Sequence, residues 1–308
     1  MTTAFVFSGG GNRGACQIGM LRALTERGIL PDVLVGTSIG AINAAFYAGT
    51  PTLEGTYMAA EVWRGIASQD VFPRGRLHGS WRFVERREAV FPLDGLRKVV
   101  SSLLRFERLE ESPIPLTVVA TRLDDGVEEW ISQGPALDAL LASAAIPGVF
   151  PVVELNGTRY VDGGVVNNAP LSVALASGAQ RIYLLLCSDV NSQLDTHERP
   201  VEAMLDAFGL ALRARLRRDL AAIPDDVDVI VFEQSALDEV MWQDFSHTDE
   251  LIAHGYARTR AVLDEVEAEL VLRDAAPPGR HGAVARRWSR GRLGTSPARR
   301  PSRARQPE

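Results

Sequence analysis

Residues typical of metal sites, disulfides and membrane spans are scarce in this chain. Its 308 residues include two cysteines and five histidines, and no CxxC, HExxH or clustered His and Asp motif occurs. No segment approaches the roughly 20 consecutive apolar residues that a membrane-spanning helix needs. We therefore expect no metal, no disulfide and no transmembrane helix.

A linker between two comparable domains is also missing. With 46% hydrophobic residues the chain can bury one large core, and we predict one domain over residues 1–272. Residues 273–308 differ, because they carry ten arginines, two acids and five prolines with almost no apolar periodicity. That composition predicts a disordered basic tail.

The net charge of −6 is divided unevenly along the chain. The tail carries +8 and the preceding 272 residues carry −14. Such a tail could dock to anionic lipid headgroups, to nucleic acid or to the acidic body of the same chain. We expect no nucleic-acid partner and leave peripheral membrane contact open.

A cleavable signal peptide is not expected, because the first predicted strand begins at the third residue. Cys16 and Cys187 fall in a predicted helix and a predicted buried strand. Both positions are typical of small core residues in a reducing compartment. These features favour a cytoplasmic protein, with membrane association left open.

Glycine is concentrated at two strand-to-helix junctions. The run GGGNRG over residues 9–14 follows the apolar segment at residues 4–7, and GTSIG over residues 36–40 overlaps the end of an apolar run at residues 33–35. Two such junctions in succession predict adjacent parallel strands whose carboxyl ends lie at one edge of a sheet.

The second junction is a GxSxG turn with Ser38 between Gly36 and Gly40. Side chains at the flanking positions would collide with neighbouring backbone in so sharp a turn. The helix predicted at residues 41–48 points its amino end at Ser38, where developing negative charge is favoured. Ser38 is therefore a candidate nucleophile.

The first junction offers backbone amides with few side chains in the way. Amides of Gly10, Gly11 and Arg13 are candidate donors to the oxygen of a tetrahedral intermediate. The run also matches GxGxxG through Gly9, Gly11 and Gly14, which leaves a dinucleotide site as an alternative.

A dinucleotide site would need an acidic residue at the end of the second strand to hold the ribose. That strand ends instead in Gly36-Thr37-Ser38, and Asp32 precedes it, at the opposite end of the sheet. This alternative is disfavoured, and no cofactor is expected.

A serine needs a base to accept its proton, and none of the five histidines follows a strand with glycine beside it. By contrast, Asp162 lies directly at the end of the short predicted strand 158–161, as the next residue, and is followed by Gly163 and Gly164. An acid in that setting is aimed by its backbone. The alternative interpretation of the Asp-Gly-Gly tripeptide is a hairpin or loop turn.

The order of these motifs resembles the patatin-like phospholipase family over about residues 3–272. The segment ASAAIP at residues 142–147, followed by Phe150 and Pro151, is similar to the family's SxAxP segment. The resemblance implies a Ser-Asp dyad with Ser38 as nucleophile and Asp162 as proton acceptor, and it makes residues 9–14 the oxyanion loop. It also implies a serine lipid acyl hydrolase that cleaves a lipid ester or phospholipid through an acyl-enzyme.

Other functions stay open as alternatives. They are a non-catalytic lipid-binding protein on the same scaffold and a nucleotide-binding oxidoreductase. An ordinary α/β-hydrolase is disfavoured, because Ser38 follows only the second strand and no histidine lies near a glycine-rich junction.

Strands and helices alternate along the chain, which predicts an α/β fold: a three-layer α/β/α sandwich with a mostly parallel central sheet. The predicted strands are Thr3 to Ser8, Val33 to Gly36, Leu116 to Thr121, Glu128 to Ser132, Thr158 to Val161, Arg181 to Cys187 and Val227 to Phe232. The predicted helices are Gly14 to Arg27, Ala41 to Ala48, Glu54 to Ile66, Asp94 to Leu104, Ala136 to Ala144, Pro170 to Ala176, Val201 to Ala222 and Thr248 to Leu272.

Residues 57–104 mix aromatic side chains with arginines and match no family motif. The rings are those of Trp63, Phe72, Trp81, Phe83 and Phe91. Such a mixture is compatible with an interfacial lipid-binding flap. The alternative, which we favour, is that these rings pack into the core of a helical cap.

Overall fold

The computed structural model describes residues 1–72, 89–189, 200–234 and 243–274, without the side chains of residues 200–207 and 269–274. Within them the strands are β1 (Thr3–Phe7), β2 (Val33–Thr37), β3 (Leu116–Arg122), β4 (Glu128–Ile131), β5 (Val153–Leu155), β6 (Thr158–Asp162), β7 (Arg181–Leu185) and β8 (Asp228–Phe232). The helices are α1 (Ala15–Glu26), α2 (Ile39–Gly49), α3 (Leu53–Gly65), α4 (Ser68–Val71), α5 (Asp94–Leu103), α6 (Ala136–Ser143), α7 (Leu171–Ala176), α8 (Pro200–Ala221) and α9 (Thr248–Asp274).

The strands form one sheet in the order β5-β6-β3-β2-β1-β7-β8, with β4 also paired to β3. Within the run β3-β2-β1-β7-β8, each adjacent pair of strands is parallel. Strands β4, β5 and β6 are antiparallel to theirs. The predicted mostly parallel sheet is confirmed, with an antiparallel edge that the sequence did not indicate.

Both faces of the sheet are covered by helices. Along β1, Phe5 and Phe7 pack into a core with residues of α1, α2 and α9, while Ala4 and Val6 pack into a second core with residues of α7 and α8. Successive side chains of a strand point to opposite faces, so a strand covered on both sides is apolar throughout. The predicted three-layer sandwich is confirmed.

Two short elements escaped prediction. Strand β5 has three residues, one of them Glu154, and α4 is a single turn, so neither contains enough residues for a hydrophobic period to emerge. The strand predicted through Cys187 ends at Leu185. Cys16 and Cys187 are buried free thiols, as predicted.

Helices α1 and α9 cross at two glycines. A Cβ atom added to Gly19 would lie 2.0 Å from the carbonyl oxygen of Ile252, and one added to Gly255 would lie 2.1 Å from that of Cys16. Any larger residue would force the helices apart. The glycines therefore let α9 approach α1, the helix that follows the glycine-rich loop.

Helix α9 ends at Asp274, two residues beyond its predicted end at Leu272. The rest of the predicted tail, residues 275–308, lies outside the described residues. Among the helices that the structure describes, none is long and apolar enough to cross a membrane.

Candidate active site

Ser38 lies in the turn between β2 and α2. Its backbone has a φ of 56° and a ψ of −128°, a conformation that non-glycine residues rarely adopt. A Cβ atom at Gly36 would lie 2.6 Å from the Cα of Ala41, and one at Gly40 would lie 2.5 Å from the carbonyl oxygen of Ser8. The turn therefore needs glycine on both sides of Ser38, as the GxSxG motif predicts.

The Ser38 hydroxyl donates a hydrogen bond of 2.6 Å to Oδ2 of Asp162, although the two residues are 124 positions apart. Their exposed fractions are only 7% and 6%. Asp162 is the last residue of β6 and pairs with Ala120 of β3. Thr37, next to Ser38, pairs with Val119 of the same strand. Strand β3 therefore brings the two predicted dyad residues together.

The Asp162 carboxylate lies in a buried environment with two hydrogen-bond donors. Burial raises its pKa to about 6, against the lowering effect of the hydrogen bonds from Ser38 and from the Gly164 amide. The amide donates to Oδ1 at 2.7 Å. One oxygen is thus held by the backbone, while the other faces the serine. A pKa near 6 makes this group a stronger base than an ordinary aspartate.

Ser143 holds the backbone of Ser38. The Ser38 amide donates to the Ser143 hydroxyl at 2.8 Å, and that hydroxyl donates to the Val119 carbonyl at 2.6 Å. Ser143 is fully buried in α6. From the sequence, Ser143 was only part of the segment similar to SxAxP, with no predicted contact. The available signal was a small polar residue at the end of the apolar run 139–142 of α6.

The glycine-rich loop runs directly beside Ser38. A Cβ atom at Gly9 would lie 3.2 Å from that of Ser38, and one at Gly10 would lie 2.3 Å from that of Cys187. Gly11 has a φ of 61° and begins a 3₁₀ turn that ends at Gly14. Gly11 lines the same pocket as Ser38. The oxyanion roles of Gly10, Gly11 and Arg13 stay predictions.

Two buried amide side chains hold the ends of this loop. Nε2 of Gln17 donates to the carbonyls of Ser8 and Leu185 at 2.9 and 3.0 Å. Nδ2 of Asn43 donates to the carbonyl of Gly14 at 3.0 Å and to Oε1 of Gln17 at 2.8 Å. Oδ1 of Asn43 accepts from Nε1 of Trp63 at 3.0 Å. We call these three side chains the Gln17–Asn43–Trp63 chain; no motif of the sequence had indicated it.

Ser38 opens into an apolar pocket between α2, α3 and α5. Its volume is about 640 Å³, including space open to solvent. The residues that line it are Gly11, Asn12, Ser38, Ile39, Ile42, Asn43, Trp63, Ile66, Val71, Phe72, Leu96, Val99, Val100, Leu103, Ala144, Ile146, Phe150 and Phe245. Apart from the loop, the two asparagines and the Trp63 indole nitrogen, this wall carries few polar groups. It fits a hydrocarbon chain.

Three of the aromatic residues singled out in the middle segment, Trp63, Phe72 and Phe91, pack inward. Trp63 and Phe72 are buried, and Phe91 packs against Phe72 with ring centroids 5.3 Å apart. The core alternative to a lipid-binding flap is therefore confirmed for these three rings. Trp81 and Phe83 lie outside the described residues.

The two histidines that the structure describes contact Gln234 and Glu250. His254 Nδ1 lies 2.6 Å from Oε1 of Gln234, and burial lowers the pKa of its ring. His247 Nδ1 lies 3.2 Å from Oε2 of Glu250. The remaining histidines lie outside the described residues, at positions 78, 197 and 281.

Asp32 lies at the opposite end of the parallel strands from the glycine-rich loop, as the sequence predicts. Its carboxylate accepts a hydrogen bond of 2.7 Å from the amide of Thr3, the first residue of β1. That is the amino end of the parallel strands, whereas Ser38 and the glycine-rich loop lie at the carboxyl end. Asp32 therefore cannot hold a ribose bound at the loop.

The model of the Patatin-like phospholipase family matches residues 5–175, more than half of the chain. The chain is 29% identical over 236 residues to Lysophospholipase NTE1 of Mycosarcoma maydis, covering 74% of this chain and 12% of that protein. It is 25% identical over 287 residues to Patatin-like phospholipase domain-containing protein 7 of Mus musculus, covering 85% and 20%. This chain thus spans a fifth or less of these relatives.

Two solved structures resemble the chain in part. VipD from Legionella pneumophila has 15% identity and a TM-score of 0.44, covering 86% of this chain and 67% of that one. Human GIVD cytosolic phospholipase A2 in complex with methyl gamma-linolenyl fluorophosphonate has 15% identity and a TM-score of 0.43, covering 89% and 60%.

Proposed function

This chain belongs to the patatin-like phospholipase family, and we propose that it is a serine lipid acyl hydrolase acting on a lipid ester or phospholipid. The observation that carries the proposal is the hydrogen bond of 2.6 Å between Ser38 and Asp162 at the wall of an apolar pocket. A nucleophile with its base and a site for an acyl chain are the parts that ester hydrolysis needs.

In the first step Ser38 Oγ attacks the ester carbonyl carbon, and its proton moves to Oδ2 of Asp162. The tetrahedral intermediate then collapses as Asp162 returns the proton to the departing alcohol, which leaves an acyl-enzyme on Ser38. In the second step water attacks the acyl carbonyl, Asp162 accepts the water proton and then returns it to Ser38, and the fatty acid is released. The same carboxylate acts as base and acid in each half of the reaction.

An aspartate is a weak base for a serine, so much of the rate must come from charge stabilisation and positioning. The negative oxygen of the intermediate would be met by amides of Gly10, Gly11 and Arg13. The amino end of α2, which begins directly after Ser38, adds a favourable dipole on the other side. Donors of this kind contribute about 3 to 4 kcal/mol each.

The pocket supports a substrate with an apolar acyl group. The pocket wall beyond Ser38 is built from aliphatic and aromatic side chains such as Ile42, Phe72 and Leu103. A chain lying there would leave its ester carbonyl beside the serine. Burial of each methylene stabilises binding by about 0.8 kcal/mol.

The quickest test is covalent labelling by an alkyl fluorophosphonate, with fatty-acid release from phospholipid and lysophospholipid vesicles as the activity assay. Wild type should be labelled and active, Ser38→Ala neither, and Ser101→Ala, an exposed serine of α5, should match wild type. An unlabelled, inactive wild type that still binds vesicles would instead support the non-catalytic lipid-binding alternative.

A further inference from the structure

We propose that Trp63 is a positioning residue that makes turnover depend on acyl-chain length, because it connects the pocket wall to the glycine-rich loop through Asn43 and Gln17. This inference rests on the proposed function. It assigns a role in the reaction to three residues that lie outside the predicted dyad and oxyanion loop.

The Gln17–Asn43–Trp63 chain reaches both ends of the loop. Ser8 immediately precedes the glycine run and Gly14 closes it, and the carbonyls of both accept hydrogen bonds from this chain. The amides that would stabilise the reacting oxygen lie between these two fixed points. A small movement of either carbonyl would therefore change their direction.

The side chains of the Gln17–Asn43–Trp63 chain are buried, and each is hydrogen-bonded to another member. Gln17, Asn43 and Trp63 have exposed fractions of 0%, 2% and 4%, so their hydrogen bonds are largely shielded from bulk water. Nδ2 of Asn43 donates to two different acceptors, while its oxygen accepts from the indole. Because Asn43 joins the other two residues, a displacement of the Trp63 ring acts directly on the amide that holds Gly14.

A second link joins the same wall to the loop. The Trp63 ring packs against Phe245 with centroids 6.1 Å apart. The neighbouring residue, Asp244, accepts a hydrogen bond at its backbone carbonyl from the side chain of Asn12 in the loop. Trp63, Asn43, Phe245 and Asn12 all line the pocket.

In this proposal only longer acyl chains reach Trp63. Asn43, its partner, lies five residues beyond Ser38 on α2, which is about 7.5 Å along the helix axis. An acetyl group on Ser38 is shorter than this distance, whereas an extended octanoyl chain is longer. Only the longer chain fills the space beside the indole and holds the ring in place.

This contact would appear in kcat and not only in KM. Binding energy from a remote part of a substrate raises kcat when it fixes groups that act in the transition state. Here the remote contact fixes the loop that meets the oxyanion. Wild-type kcat should therefore rise by about tenfold from acetyl to octanoyl esters, equivalent to the free energy of one well-made hydrogen bond.

The test uses purified full-length protein and p-nitrophenyl acetate, butyrate and octanoate. Trp63→Phe keeps an aromatic ring but removes the N–H that donates to Asn43. The octanoate-to-acetate ratio of kcat should therefore fall about tenfold towards one. The control is Val99→Ala, a pocket residue of α5 whose side chain has no polar group. It should raise KM for octanoate but keep the wild-type ratio of kcat.

Each other outcome overturns the inference. If Trp63→Phe lowers kcat equally for all three esters, the indole only supports the fold; if it raises KM alone, the indole is only a wall. Should this variant not fold, the wild-type series decides, because a kcat that does not rise from butyrate to octanoate removes the proposed coupling. A wild type that hydrolyses none of the esters and resists fluorophosphonate refutes the proposed function itself.

Discussion

At the scale of single residues, the opposing effects on Asp162 determine how the site should respond to pH. Burial favours the neutral acid, whereas the donors Ser38 and Gly164 favour the carboxylate. Burial dominates, and the pKa rises to about 6. The same shift that makes Asp162 a better base therefore makes its ionised form costly to the fold.

The first prediction concerns the pH dependence of the rate. Because only ionised Asp162 can accept the proton, kcat/KM for a soluble ester should rise about tenfold per pH unit below pH 6 and level off above it. The measurement is a pH–rate profile from pH 4.5 to 8.5, with far-UV circular dichroism at each pH to show that the protein stays folded. A profile that is flat between pH 5 and 7 would contradict the assigned base.

The second prediction concerns stability. The pKa of Asp162 is raised in the folded state, so the protonated side chain contributes to folding stability below about pH 4. That contribution is lost as the pH rises through about 6. Asp162→Asn keeps the shape without the charge, so at pH 8 it should increase the free energy of unfolding by about 2 to 3 kcal/mol. At pH 4 the difference should nearly vanish.

Urea unfolding at both pH values measures this difference. Asp138→Asn, a partly exposed position on α6 whose Oδ1 lies 3.1 Å from Nη1 of Arg97, is the control and should change stability by no more than about 1 kcal/mol. Asp162→Asn should also lose roughly 100- to 10,000-fold in kcat. A variant that is inactive yet less stable than wild type at pH 8 would mean that the substitution damages the site by another route.

At the scale of helices and strands, the sequence predicted elements with long apolar runs and the turn at Ser38, whose geometry requires glycine. The apolar runs of β1, β2 and β7 and the glycines around Ser38 give local signals, so the parallel strands and the sharp turn at Ser38 were predictable. The antiparallel direction of β6 was not, because a five-residue strand pairs in whichever direction its distant neighbour allows. Likewise, the hydrogen bonds of Ser143, Gln17 and Asn43 mostly join residues far apart in sequence, so no local pattern identifies their partners.

The third prediction concerns the crossing of α1 and α9. Gly255→Ala places a methyl group against the carbonyl of Cys16, so it should lower the free energy of unfolding by about 1 to 3 kcal/mol. Gly209→Ala in α8 is the matched control, because its Cβ would have 3.6 Å to the nearest atom. A helix gains about 0.5 to 1 kcal/mol from this exchange where space allows. Equal effects in thermal melts of both variants would contradict the close crossing.

At the scale of the whole molecule, charge and site are separated along the chain. The dyad, the pocket wall and the Gln17–Asn43–Trp63 chain all lie before residue 246. The arginine-rich segment follows Asp274. Any contribution of that segment to membrane contact should therefore be separable from the chemistry of the site.

The fourth prediction tests this separation. Truncation after Asp274 should leave kcat for a soluble ester within about twofold of wild type, since the described residues that form the site all lie before residue 246. Sedimentation with anionic vesicles measures docking: reduced binding would assign docking to the tail, and unchanged binding would remove that role. A loss of soluble-ester activity would contradict the independence of the site.

The pairing of Ala120 with Asp162 also has a consequence for the order of events during synthesis. A ribosome delivers the serine turn long before the aspartate, and β6 must then dock against β3 before the serine acquires its proposed proton acceptor. By the proposed mechanism, a partly made chain is inactive even where its first strands have already assembled. Ester cleavage by that mechanism begins only once the late strand has been added.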